Sequence, residues 1–176
     1  MIIPRNLPIL NTKRLILTPL KVNHLKYTIK WRLNKRIRNT LQNNSPLDIN
    51  NQINWYKTSR KIRIDYLVFE RITKEPIGVW SFKKTINRKK FLKIMEQGRY
   101  IGNEKFLGKG LASEVALCWL DFGFNFLNLD KIISIHISNN IVPQKINLKI
   151  GFKYDTKYIN KKEKKMEISK STYYSE

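Results

Sequence analysis

The chain has 176 residues, 41% of them hydrophobic and 11% aromatic, enough for one compact domain with a core, which excludes a mainly disordered chain. Lys and Arg number 35 against 13 Asp and Glu, a net charge of +22. Such a field attracts polyanions (coenzyme A, nucleotide-linked sugars, RNA, anionic membrane) and disfavours a polycation such as spermidine as substrate. The abundance of Lys, Asn and Ile, all with A/T-rich codons, is an equally weighted compositional cause. A single cysteine, Cys118, excludes an intrachain disulfide and a cysteine metal cluster. No stretch approaches the ~18–20 apolar residues of a membrane span, and Met1 to Arg14 lacks a signal-peptide run. A cytoplasmic protein with no membrane partner and no metal is expected.

Arg14 to Leu20 predicts a first strand, stopped by Pro19. Val22, Leu25, Ile29 and Leu33 have helical spacing over 22–32. A second helical stretch covers 35–41, broken by Ser45-Pro46, and a third runs from Ile49 to about Arg60. Alternation at Ile64, Tyr66 and Val68 predicts a strand, and Lys74-Glu75-Pro76 a turn into the strand Ile77–Phe82. Residues 85–90 read as a basic loop and Phe91 to Gly102 as a long strand. A strong helix follows Gly108 and Gly110, with Leu111, Val115, Cys118, Trp119, Phe122 and Phe126 on its apolar face. Ile133, Ile135 and Ile137 predict a strand. Residues 142–150 form a short helix with Pro143 in its first turn and Gly151 at its end. Phe152 to Tyr158 and Lys165 to Lys170 read as a final hairpin. The order, summarised as β-α-α-β-β-β-α-β-α-β-β, predicts an α+β fold in one domain over 1–170, with 171–176 a flexible tail.

Two junctions carry more than this order. Tyr100 to Glu114, reading Tyr-Ile-Gly-Asn-Glu-Lys-Phe-Leu-Gly-Lys-Gly-Leu-Ala-Ser-Glu, resembles the acyl-CoA pyrophosphate loop of GNAT acetyltransferases. Some thirty residues on, Asn140 to Phe152 ends in Lys149-Ile150-Gly151-Phe152 and is similar to that family's second signature. The resemblance covers most of the chain. It implies a mixed, mainly antiparallel sheet of about seven strands flanked by helices. It also implies acetyl-CoA or another acyl-CoA as co-substrate, entering where strands 91–102 and 131–138 diverge, and dimerisation through the final hairpin. Trp31-Arg32 and Asn147 resemble the branch acting on nucleotide-linked amino sugars, as in pseudaminic acid synthesis. The ribosomal-protein N-terminal acetyltransferases share much of the pattern. Leu107 departs from the usual Gln or Arg that opens the loop, and Asn147 stands where many members carry a Tyr proposed as general acid.

The chemistry suits these residues. A helix N-terminus offers unpaired N–H groups to phosphate, Gly108 and Gly110 let the backbone approach, and Lys109 adds charge. The resemblance places Leu107, Gly108, Lys109, Gly110, Leu111 and Ala112 at the cofactor. Asn140 is either a helix cap or a contact to the pantetheine or phosphate arm. Amine attack on a thioester needs a base, an oxyanion donor and an acid. Glu96 shares a strand face with Ile94, Gly98 and Tyr100 and is the candidate base, acting directly or through water; the alternative is a structural salt bridge. A backbone N–H near Ile101 would hold the oxyanion. Tyr100, Tyr154 and Tyr158 are candidate acids, or strand aromatics. Trp31 and Arg32 either line the acceptor site, stacking on a sugar or base and pairing with phosphate, or in the case of Trp31 pack in the core. Arg36 and Arg38 read as a solvated face, His24 as surface, and Cys118 and His136 as structural.

Three functions follow. The favoured one is N-acyl transfer to a primary amine on a nucleotide-linked amino sugar. The second is protein N-terminal acetylation. The third is a catalytically silent, basic RNA- or DNA-binding module, disfavoured because no zinc-finger, RRM or KH signature is present and Gly108-Lys109-Gly110 is intact.

Overall fold

The computed structural model describes residues 2–40, 48–85 and 91–175. Its strands are β1 (Leu10–Asn11), β2 (Leu15–Pro19), β3 (Arg63–Glu70), β4 (Pro76–Lys84), β5 (Ile94–Ile101), β6 (Lys131–Ile137), β7 (Lys153–Tyr154) and β8 (Glu163–Ser169). The helices are α1 (Leu25–Leu33), α2 (Lys35–Arg38), α3 (Ile49–Ser59), α4 (Leu111–Asp121), α5 (Ile141–Lys149) and α6 (Lys170–Tyr174). The strands form one mixed, mostly antiparallel sheet in the order β1-β2-β3-β4-β5-β6-β8-β7. The α+β expectation holds, with eight strands because the two-residue β1 adds an edge that its length hides in the sequence. The Ser45-Pro46 break, residue 41 and most of the basic loop, 86–90, lie outside the described residues.

The chain divides into two compact units, Met1–Ser81 with Arg99–Leu111, and Phe82–Gly98 with Ala112–Glu176. In the first unit, Leu15 and Leu17 on β2 are fully buried, as alternation requires. β2 pairs antiparallel with β3, Leu17 opposite Val68. On α1 the inward residues are Leu25, Thr28 and Trp31, while Val22 and Leu33 are about half exposed. Of the predicted stripe only Leu25 is fully buried, and the face that carries the large indole is the one turned inward. Leu20, Leu25, Trp31, Ile37, Leu67 and Val79 form the core, flanked by Tyr27, Ile53, Trp55, Tyr56, Phe69 and Tyr100. Side-chain caps start two of the helices: Asn34 Oδ1 accepts from Arg36 N at 2.9 Å and Asp48 Oδ1 from Asn51 N at 2.8 Å, as N-caps do.

In the second unit, β5 pairs in parallel with β6 from Ile94↔Lys131 to Gln97↔Ser134, and β6 pairs antiparallel with β8. Phe82 stacks on Trp119 at 4.6 Å, and Trp119 meets Phe122 at 5.1 Å. Phe122–Phe126 is a π-helical turn, with Leu127 N donating to Phe122 O. Its i→i+5 spacing shifts the helix phase. Phe126, which a regular continuation would keep on the face of Trp119 and Phe122, is 47% exposed, while Phe124 is fully buried. Cys118 is half-buried beside that face. α5 ends in a Schellman motif, Phe152 N donating to Asn147 O and Gly151 N to Leu148 O. Residues Lys170–Tyr174 form α6, started by Ser169 and anchored by Tyr173 against Phe124 at 5.1 Å.

Candidate active site

Residues singled out from sequence fall in both units. The first unit holds the loop that leaves β5. Ile77 O accepts from both Gly102 N (2.8 Å) and Asn103 N (2.9 Å), so neither N–H is left for an oxyanion and the candidate donor remains the one at Ile101. The Ile101 carbonyl accepts from Arg36 Nη2 at 3.0 Å, and Arg36 Nε pairs with Glu104 at 3.3 Å. Asn34 also donates to Glu104, at 3.1 Å. Arg36 therefore ties the start of α2 to the end of β5, a role that its place in a run of cations concealed. Glu104–Phe106 is one 3₁₀ turn, started by Asn103 Oδ1 accepting from Lys105 N, with Phe106 buried.

The loop then opens. Gly108 and Gly110 have φ of +72° and +71°, a region that costs any residue with a Cβ. A Cβ on Gly108 would meet nothing within 4 Å, so there the backbone conformation selects glycine. Leu107 and Lys109 are exposed, Leu111 is buried and Ala112 half-buried. Lys109 Nζ lies 5.3 Å over the Phe106 ring. Leu111 begins α4, so the first-turn amides follow immediately upon Gly110 and can take an anion.

Trp31 is 7% exposed and lies against Gly102, close enough that a Cβ there would stand 2.0 Å from Cδ2. Its ring meets Tyr100 edge-on at 6.3 Å and stacks with Tyr27 at 6.1 Å. This is a packing residue at the root of the loop. The next residue, Arg32, is half-buried. Burial lowers its pKa, Tyr100 raises it and the positive charge of Arg63 lowers it again. Burial also pushes the Tyr100 phenol well above its ordinary value. A phenol holding its proton that firmly serves as a hydrogen-bond donor better than as an acid. Arg63 grips Asp65 through Nη2 at 2.7 Å and Nε at 3.3 Å and lies 5.3 Å over Trp55. The sequence reading missed Arg63 and Asp65, because alternation on β3 marks a face and not its partners.

The second unit holds Glu96 and Asn140. Glu96 is half-buried on β5, registered with Ile133. Asn140 precedes α5, but its side chain makes no cap bond, so the capping alternative is not realised. The turn is held instead by buried Gln144, whose Nε2 reaches the carbonyls of Ile137 (3.3 Å), Ser138 (3.2 Å) and Asn140 (2.9 Å), while Oε1 accepts from Tyr154 at 2.9 Å. Tyr158 donates to Glu163 at 2.8 Å; both of these tyrosines have structural partners. Asn147, fully buried, accepts from Gln97 Nε2 at 3.4 Å and donates to His136 Nε2 at 3.0 Å. Ser134 Oγ lies 2.9 Å from the same nitrogen. Among the described residues no group of three or more His, Cys, Asp or Glu could hold a metal, and no helix is long and apolar enough to cross a membrane.

Solved structures of the same fold include spermidine N-acetyltransferase from Vibrio cholerae in complex with CoA and spermine. It has a TM-score of 0.80 and 22% identity, over 92% of this chain and 98% of that one. FdhC, a nucleotide-linked sugar GNAT, has a TM-score of 0.78 and 21% identity over 96% and 93%. A domain from Methanocaldococcus jannaschii DSM 2661 has a TM-score of 0.75 and 22% identity over 90% and 99%. No curated protein matches by sequence. The family model for the acetyltransferase (GNAT) domain matches residues 14–153, from the start of β2 through the loop, α4 and α5. The chain therefore belongs to the GNAT acetyltransferase family and is an acyl-CoA-dependent N-acetyltransferase.

Proposed function

We propose that the acceptor is a primary amine on a nucleotide-linked amino sugar. The observation that carries this reading is the cationic side chains beside the root of the loop: Arg32 is half-buried on α1 next to Trp31, and Arg63 holds the carboxylate of Asp65 through two hydrogen bonds. Two guanidiniums beside one carboxylate favour a phosphorylated acceptor and repel a polyamine. The net charge of +22 acts in the same direction at long range.

In this reading the amides around Gly108, Lys109 and Gly110, with Leu107, Leu111 and Ala112, receive the pyrophosphate of the acyl donor. Asn140 contacts its pantetheine arm. Glu96 takes the amine proton, directly or through a water, the Ile101 N–H stabilises the oxyanion, and Tyr100 donates a hydrogen bond. Arg32 pairs with the acceptor's phosphates, and Trp31 sets the position of Arg32 on α1.

The test is thiol release from acetyl-CoA with three acceptors: a UDP- or dTDP-linked amino sugar, a peptide with a free N-terminus, and spermidine. The nucleotide sugar should give the highest kcat/KM. Arg32→Ala should raise its KM about tenfold or more, the loss expected for a charge-assisted hydrogen bond, and leave the KM for acetyl-CoA unchanged. Faster turnover of the peptide or of spermidine would overturn the assignment.

A further inference from the structure

The loop Leu107–Leu111 carries one cationic side chain of its own, Lys109, and that ammonium lies over the Phe106 ring. A second cation reaches the loop from far away in the sequence. Arg14, exposed just before β2, donates from Nη1 to the Lys109 carbonyl at 3.0 Å across 95 residues of chain. Its Nη2 is 3.9 Å from where a Gly110 Cβ would stand. Both contacts fall on the same peptide unit, Lys109–Gly110.

A trans peptide is planar, and its carbonyl and N–H point in opposite directions. No cis bond occurs among the described residues. A donor that fixes the Lys109 carbonyl therefore also fixes the Gly110 N–H, which points away from the guanidinium. The φ on its C-terminal side, +71°, belongs to a glycine, which turns freely in either sense. Left alone, this peptide could rotate and present its carbonyl oxygen, a repulsive partial charge, to an incoming anion.

We propose that Arg14 is a positioning residue for the acyl donor: it locks the Lys109–Gly110 peptide so that the Gly110 N–H, and not the Lys109 carbonyl, meets the pyrophosphate. The proposal rests on the reading of this loop as the pyrophosphate site. Arg14 acts through the backbone and also neutralises the carbonyl it holds, so the loop is preorganised before the donor arrives.

The experiment is calorimetric binding of acetyl-CoA to the wild type, Arg14→Met and Arg14→Lys, with turnover of acetyl-CoA and of acetyl-pantetheine, which has no pyrophosphate. Arg14→Met should weaken acetyl-CoA binding about tenfold, the range for a charge-assisted hydrogen bond, with kcat at saturation unchanged. Arg14→Lys should recover part of the loss. Turnover of acetyl-pantetheine should be the same in all three proteins. Undiminished acetyl-CoA binding in Arg14→Met overturns the proposal, as does an equal loss with acetyl-pantetheine, which would mark a general structural defect, or no recovery with lysine. A wild type that fails to bind acetyl-CoA at all would instead remove the loop reading on which it rests.

Discussion

Gly102→Ala tests how the end of β5 is seated. The added Cβ would lie 2.0, 2.3 and 2.5 Å from Cδ2, Cγ and Cε2 of Trp31, inside the indole and not beside it. Carbon atoms rest at about 3.5–4.0 Å, so ring or strand must retreat by roughly 1.5 Å. The ring has little room to do so, since it is 7% exposed and belongs to the cluster of Leu20, Leu25, Ile37, Leu67 and Val79. Overpacking of this kind costs about 1–3 kcal/mol, and the overlap puts this case at the upper end. For a chain of this size about 3 kcal/mol lowers Tm by roughly 6–12 °C. Thermal unfolding followed by circular dichroism measures it. The cause is checked by combining the change with Trp31→Phe: the smaller ring should relieve the overlap, so the double variant should lose less than the sum of the single losses by about 1 kcal/mol or more. A Gly102→Ala protein melting within about 1 °C of wild type, or strictly additive losses, would refute the argument.

Three further predictions are independent of that one. Gly110→Glu puts a side chain at φ +71° and a negative charge at the start of α4, and should abolish calorimetric binding of acetyl-CoA; retained binding in moderate salt would count against the loop as the phosphate site. Asn147→Leu strips the partner from buried Gln97 Nε2 inside the second unit and leaves His136 Nε2 to Ser134 Oγ, and should lower the unfolding free energy in urea by about 1–3 kcal/mol, the cost of one stranded buried group; a change below about 0.5 kcal/mol would mean that the network is not worth its burial. The His24 pKa is lowered by burial first, then by Lys21 and Lys26. The unfolded chain therefore takes up this proton first as pH falls, so the contribution of His24 is complete above its ordinary pKa of about 6.5 and is lost as pH drops from there through the lowered folded value. Wild type should lose more Tm between about pH 7.5 and 5 than His24→Asn, which lacks the titration; equal losses would remove His24 as the cause.

Much of the fold is legible in the sequence because backbone periodicity is local. Alternation on β2, β3 and β6 and the apolar spacing of α4 need only the strand and helix repeats and a buried side. The glycines at 108, 110 and 151 mark positions where a left-handed backbone ends one element or opens another, and all three have positive φ. The order of those marks is what made the family recognisable.

Other features depend on contacts that no local pattern encodes. The π-turn over Phe122–Phe126 carries Phe126 off the apolar face on which its spacing had put it, since the wider turn rotates what lies beyond it. The face of α1 that carries Trp31 packs against Gly102, a pair 71 positions apart. Arg14 and Arg36 look like ordinary members of a basic surface, and become braces of the loop only once folding brings carbonyls and a carboxylate within hydrogen-bond reach. The sequence by itself determined most of the elements, their order and the glycines that mark the junctions, because these follow from residue-level backbone preference and short-range burial. Tertiary structure alone decided which charges are partnered, which aromatic is packing and which asparagine is buried, because each depends on distances set by chain segments far apart in sequence.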